Sequence, residues 1–360
     1  MVKSKVAVIY SGGTIGMILN DRGELVPGDS SFIQELPGLD DIAEIKVFDV
    51  GAIDSTNMQT IDPARYRKSK KKLEFFDRLS LAELIYKQCF EYDGFVILHG
   101  TDTMPETAAA LSYMLPEFRK PIVLSGSQRP FRNHRSDGPN NLYNAIHAAT
   151  LDIGEVVISF GDYILRGTRA LKSDEEGNNA FQTFDVEPLG KVTSLSEGIH
   201  LFDHRISRKP FDRKLNSHFD TKIFHYAHAS GAKVNKALIY LAESEIISGF
   251  VLGSFGAGNI PDELLPFIKK ARQNDKPVIV YTDCLTGAAD MGIYAVGATP
   301  LEAGATSAGN MTFKALAQKA MYICGVVQNE GLVGDQRQLA VQEILLTPYN
   351  KDITIIKRRK

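Results

Sequence analysis

Five short runs of apolar residues, at 6–10, 45–50, 95–98, 122–125 and 156–160, mark the first half of the chain. They are mostly continuous and not alternating, which suits strands covered on both faces, as in a parallel sheet. Segments rich in helix-forming residues separate them, at 64–92, 106–115 and 140–151, the last opened by Asp137-Gly138-Pro139. A β-α-β-α order of this kind predicts a doubly wound, mostly parallel α/β domain.

With 360 residues the chain is long enough for two domains, and 44% apolar content supplies a core for each. Regularity fades near residue 193, where charged residues crowd, as in Asp203-His204-Arg205-Ile206-Ser207-Arg208-Lys209-Pro210. The expected division is a larger N-terminal catalytic domain over 1–192, a linker over 193–233 and a smaller α/β domain over 234–360. In that second domain, strand-helix alternation resumes with 236–241, 249–252, a helix at 261–273, 278–281 and a last helix at 312–324. No repeat of 20–50 residues is present, which excludes solenoids and propellers. The basic cluster Arg67-Lys68-Ser69-Lys70-Lys71-Lys72 reads as a solvated helix face.

Forty-one basic and 43 acidic residues leave a net charge of −2, without the basic excess of a nucleic-acid-binding surface. Three scattered cysteines, Cys89, Cys284 and Cys324, form neither a disulfide scaffold nor a zinc pattern and imply a reducing compartment. The opening residues read as a first strand and not a signal peptide, and no 18-residue apolar span follows. A cytoplasmic protein without membrane partners is expected.

Ligands of doubly wound folds bind beyond the carboxyl ends of the strands. Four polar clusters fall there: Ser11-Gly12-Gly13-Thr14-Ile15-Gly16, Asp54-Ser55-Thr56-Asn57, His99-Gly100-Thr101-Asp102-Thr103 and Ser125-Gly126-Ser127-Gln128. The glycines have the wrong spacing for a dinucleotide fingerprint, and the Walker pattern is absent. Thr14 is a nucleophile only if a base takes its proton, because an alcohol is negligibly ionised at neutral pH. Asp102, beside Thr101, is placed to orient or relay a proton, and a nearby lysine would complete such a relay. Spacing alone does not select that lysine, although Lys172 is a candidate. Capping of the loops by hydroxyls remains the alternative to catalysis. His99 reads as a hydrogen-bonded core residue, Cys284 as an inert buried thiol, and the Met and Tyr residues of 111–115 as core packing.

These residues resemble the bacterial-type L-asparaginase family of threonine amidohydrolases. Thr14 within Ser11-Gly12-Gly13-Thr14-Ile15-Gly16-Met17 is similar to the first family signature. His99-Gly100-Thr101-Asp102-Thr103-Met104 with Glu106-Thr107-Ala108 is similar to the second. The likeness continues through Asp54-Ser55-Thr56-Asn57-Met58, Ser125 to Pro130, Ser136-Asp137-Gly138, Arg166-Gly167, Lys172 and Ser254-Phe255-Gly256-Ala257-Gly258-Asn259, and is strongest to the cytoplasmic type I branch. It implies hydrolysis of L-asparagine to L-aspartate and ammonia through an acyl-enzyme on Thr14. It further implies a relay of Thr101, Asp102 and Lys172, and substrate contacts from Asp54, Ser55, Thr56, Thr101 and Asp102. No metal or organic cofactor is implied, and a homodimer or homotetramer is.

The stretch Asn20-Asp21-Arg22-Gly23-Glu24-Leu25-Val26-Pro27 lacks the tyrosine that family members often carry there, so that role is unassigned. Asp290, within Thr286-Gly287-Ala288-Ala289-Asp290-Met291, aligns poorly with an acidic residue that the exported branch supplies from a neighbouring subunit. Two rivals stand beside the leading reading. One is the amidase subunit of a tRNA-dependent amidotransferase, which normally has an extra N-terminal domain for which Ser11 leaves no room. The other is a small-ligand-binding module without catalysis.

Overall fold

Strand β1 (Lys5–Tyr10) is buried from its second residue onward and sits between two parallel neighbours, β4 (Glu44–Asp49) and β5 (Gly94–Leu98). The computed structural model describes residues 2–59, 77–193, 198–292 and 295–355. The basic cluster at 67–72 and most of the expected helix 64–92 lie outside these residues, and the described part of that helix is Arg78–Gln88.

The chain divides into two compact units, Met1–Ser217 and His218–Lys360. In the first, β6 (Ile122–Ser125) and β7 (Val156–Phe160) extend the parallel array beyond β5. A hairpin then reverses direction, and β8 (Tyr163–Arg166), β11 (Gly190–Val192) and β12 (Ile199–Leu201) complete an eight-stranded sheet in the order β12-β11-β8-β7-β6-β5-β1-β4. Two small antiparallel pairs lie apart from it: β2 (Met17–Leu19) with β3 (Leu25–Pro27), and β9 (Ala170–Lys172) with β10 (Phe181–Thr183).

Side chains alternate across a strand, so each strand feeds two cores. Val6, Val8, Tyr10, Val96, Leu98, Val123 and Val157 share one face with Leu142, Ala145, Ile146 and Ala149. Those last four recur at helical spacing along Gly138–Thr150, a helix with Pro139 in its first turn, where the missing N–H costs nothing. Against the other face packs Met104–Met114, buried along nearly its whole length because Ala108, Ala109 and Ala110 are small. Tyr113 and Met114 are buried there, as expected of core residues.

The second unit is a parallel four-stranded sheet, β13-β14-β15-β16, formed by Ile223–Ala227, Gly249–Ser254, Val278–Thr282 and Ala305–Ser307. Its core gathers Phe250, Leu252, Val278 and Val280 with Phe267 and Ile268 of the helix Leu265–Gln273. The mixed α/β architecture, a larger parallel-dominated sheet and a smaller second one, is the fold class expected.

Three boundaries differ. The stretch 193–233 is not all linker: it supplies β12 to the first sheet and β13 to the second, and the units part between Ser217 and His218. Residues 236–241 lie in the helix Asn235–Glu243, and β13 opens the second sheet instead. This edge strand reads Ile-Phe-His-Tyr-Ala and is half exposed, so it lacks the apolar run that betrays the buried strands. The final expected helix extends to Phe313–Asn329, and Gly334–Leu346 follows it.

A buried ion pair closes the open end of the β7–β8 hairpin, joining Glu155, just before β7, to Arg166 at the end of β8. Arg166 Nε and Nη2 donate to Glu155 at 2.6 and 3.1 Å, and the carboxylate also accepts from the backbone N–H of Ile206 at 2.7 Å. Both side chains are almost wholly buried. Removing one partner strands the other charge, so Arg166→Met is expected to destabilise the first unit by about 3–5 kcal/mol, read as a lowered urea midpoint. A midpoint equal to the wild type would contradict this.

Candidate active site

Three loops interlock at the carboxyl ends of β4, β1 and β5, where the chain order reverses between β1 and β5. Gly12 and Gly13 take φ of 106° and 91°, a region that disfavours any side chain. A Cβ on Gly13 would lie 2.6 Å from the amide nitrogen of Gly100 and 2.7 Å from the carbonyl oxygen of His99. One on Gly100 would lie 2.6 Å from the side chain of Ser55. Thr103 Oγ1 closes the third side by donating to the Ser55 carbonyl at 2.7 Å.

Between these loops lies a cavity of about 230 Å³. Thr14, Asp54, Ser55, Thr101 and Asp102 line it together with Met17 and Pro27 of the β2–β3 hairpin. Thr56 is exposed and outside the lining; its N–H instead caps the Asp54 carboxylate at 2.9 Å. Lys172 enters from the end of β9, and its Nζ donates to Thr101 Oγ1 at 3.1 Å and to Asp102 Oδ1 at 2.8 Å. The fold thus brings together four residues from three distant segments: Thr14, Thr101, Asp102 and Lys172. The ammonium is mostly buried, with 13% of the side chain exposed. Burial works against its charge, but hydrogen bonds to Asp102 and to Glu175 more than offset this and hold its pKa above the ordinary lysine value.

Residues beyond the expected set support the site. Asp137 accepts from the backbone N–H groups of Gln128 and Arg129 and from Asn141 Nδ2, which fixes the loop after β6. Gln128 Nε2 in turn donates to the carbonyls of Glu175 and Gly177, at 2.8 and 3.2 Å. Glu175 Oε2 lies 2.7 Å from Lys172 Nζ. A carboxylate three residues after Lys172 is the available signal in the sequence.

Tyr10, though near the hairpin, uses its hydroxyl to donate to the Gly28 carbonyl at 2.9 Å, and burial with the charges of Asp49 and Asp29 pushes the phenol up to about 12. It does not line the cavity. Cys284 is exposed, contrary to the buried thiol expected, because it lies beyond the end of β15 in a run of bends. Asp290 lies in the second unit, where Ala289 bridges to Gly309. Among the described residues, no group of three or more His, Cys, Asp or Glu is arranged to hold a metal ion, and no helix is long and apolar enough to cross a membrane.

His99 is a core residue. Its Nδ1 faces the Gly100 carbonyl at 2.7 Å, which can only accept, so Nδ1 carries the proton and Nε2 accepts from Thr107 Oγ1 at 3.0 Å. Thr107 Oγ1 also accepts from the buried Arg78 Nε at 2.9 Å. Burial, aided by the charge of Arg78 and opposed by the Gly100 contact, pushes the imidazole pKa down to about 4. An unfolded chain therefore takes up this proton first as pH falls, so stability is lost between about 6.5 and about 4. The wild type should lose about 3 kcal/mol more across that window than His99→Gln, measured by urea unfolding. Parallel pH dependences in the two proteins would refute this.

Comparison with known proteins finds family matches in both units of the chain. Residues 5–206 match the family model described as Asparaginase, N-terminal, and residues 226–331 match the Glutaminase/Asparaginase C-terminal domain. L-asparaginase 1 of Escherichia coli strain K12 is 31% identical over 334 residues, covering 90% of this chain and 92% of that protein. The structure of the thermostable L-asparaginase from Thermococcus kodakarensis superposes with a TM-score of 0.82 at 28% identity, over 98% of this chain and all of that one. A glutamyl-tRNA(Gln) amidotransferase subunit of Methanobrevibacter smithii is 30% identical over 342 residues, 92% of this chain and 74% of its own length. Fold and matches together define an α/β amidohydrolase. Within that class, the chain belongs to the asparaginase family.

Proposed function

We propose that the chain hydrolyses the side-chain amide of L-asparagine to L-aspartate and ammonia through an acyl-enzyme on Thr14. The observation that carries this is Lys172 Nζ on both Thr101 Oγ1 and Asp102 Oδ1, at the rim of the cavity that Thr14 lines. As Thr14 Oγ bonds to the amide carbon its proton must leave, and as the C–N bond breaks the departing nitrogen must gain one. The two transfers balance. The relay therefore has to carry a proton and not to supply it, which suits a lysine that stays charged. With Lys172 donating to Thr101 Oγ1, the hydroxyl's own hydrogen is left for an acceptor in the cavity. Water then attacks the ester by the reverse path and releases aspartate.

The substrate is a zwitterion and needs both signs paired locally. The carboxylates of Asp54 and Asp102 suit its ammonium, and the Ser55 hydroxyl with backbone N–H groups suits its carboxylate. The glycine turn supplies further N–H groups for the developing oxyanion.

The purified chain should release ammonia from L-asparagine, with kcat/KM lowered by about 10³ or more in Thr14→Ala and Thr101→Val. Lys172→Met should lower kcat far more than it alters KM. A wild-type chain that releases no ammonia from the free amino acid overturns the proposal and favours the amidotransferase-subunit or binding-module readings. Glutamine assayed in parallel measures how far the cavity excludes one methylene, a difference of about 1–3 kcal/mol. The family resemblance also leads us to propose a homo-oligomer. Light scattering that finds a particle of one chain's mass overturns this part.

A further inference from the structure

We propose that Glu175 is a positioning residue for Lys172, a second carboxylate that holds the ammonium against Thr101 and Asp102; the inference rests on the reading of Lys172 as part of the relay. An ammonium has three N–H donors and no acceptor. Three acceptors meet it: Thr101 Oγ1 at 3.1 Å, Asp102 Oδ1 at 2.8 Å and Glu175 Oε2 at 2.7 Å. The donor set is therefore used in full, and a flexible four-carbon stem is held in one orientation.

The turn between β9 and β10 is built to present this carboxylate. Asp174 accepts from the N–H groups of Glu176 and Gly177 at 2.9 and 3.0 Å, and the N–H groups of Ser173 and Asp174 both donate to the Ala180 carbonyl. Gln128, itself fixed by Asp137, then clamps the turn through the carbonyls of Glu175 and Gly177. The Glu175 side chain is 80% exposed, and an isolated pair of that kind contributes little stability. Here its backbone is clamped and its partner is mostly buried, so its effect falls on the position and protonation of Lys172. Asp102, from the loop after β5, and Glu175, from the β9–β10 turn, are the charges that face the ammonium among the described residues. Removing one of two carboxylates lowers the pH at which the lysine loses its proton.

The test is competitive acetylation of Lys172 by acetic anhydride across alkaline pH, read by peptide mass spectrometry in the wild type, Glu175→Gln and Glu175→Asp. Ammonia release from L-asparagine is measured over the same pH range. In Glu175→Gln the labelling midpoint should fall by about half a unit, and the alkaline limb of kcat should move with it, while KM stays within about twofold. Glu175→Asp keeps the charge and should lie nearer the wild type. Coincident labelling midpoints in folded wild type and Glu175→Gln overturn the proposal. If the wild type releases no ammonia, the relay reading fails, whereas the labelling midpoints still decide the role of Glu175.

Discussion

The contact on which the site depends is between two backbones with no side chain between them. Gly13 approaches the amide of Gly100 so closely that even a methyl group would have to displace it, and Gly12 meets the backbone of Ile53, two residues before Ser55, in the same way. Parallel strands bring their carboxyl ends to one edge, but strand spacing alone leaves room for loops to splay apart. The glycines remove that room. Thr14, Ser55 and Thr101 reach one small cavity because the peptide units that carry them are in contact.

Charge is arranged around this contact in two ways. Away from the cavity, several buried groups are paired or kept uncharged: Arg166 with Glu155, Lys319 with Asp352, and His99 held neutral by burial. Lys319, for instance, also donates to the carbonyls of Leu345 and Thr347. At the cavity the arrangement is reversed, since one ammonium meets two carboxylates that stay largely in water. Buried pairs of the first kind stiffen the frame; the half-solvated cluster keeps a charge that can respond to a ligand.

Legibility in the sequence follows burial. Strands β1, β5, β6 and β7 are covered on both faces, so their apolar runs are continuous and their places evident. Strand β13 is an exposed edge with two polar-tipped aromatics, and its pattern dissolves into the charged stretch around it. The short strands β8 to β12 pair through reversals and bulky turns, with only three or four residues each to carry a signal. For the site, hydroxyls and glycines clustered at strand ends are visible as chemistry. Spacing does not select Lys172, because it lies about 70 residues from Asp102 and meets it only through the β9–β10 pair. Gln128 and Glu175 are hidden for the same reason: their roles arise where two loops touch.

The size of the cavity and the sign of its charges point the same way. A volume of about 230 Å³ is smaller than pockets that enclose drug-sized ligands, and it suits a ligand of a few heavy atoms. A ligand that small gains little from apolar burial, so its affinity has to come from charged groups paired at short range. Two carboxylates, several hydroxyls and a glycine turn provide acceptors for a cation and donors for an anion within one loop cluster. Three carboxylates, Asp54, Asp102 and Glu175, against the one ammonium of Lys172 leave a local excess of negative charge, so an anionic group in the cavity has to lie toward the backbone N–H groups and the hydroxyls. In the function we propose, that asymmetry orients the amino acid, with its cationic end toward the carboxylates.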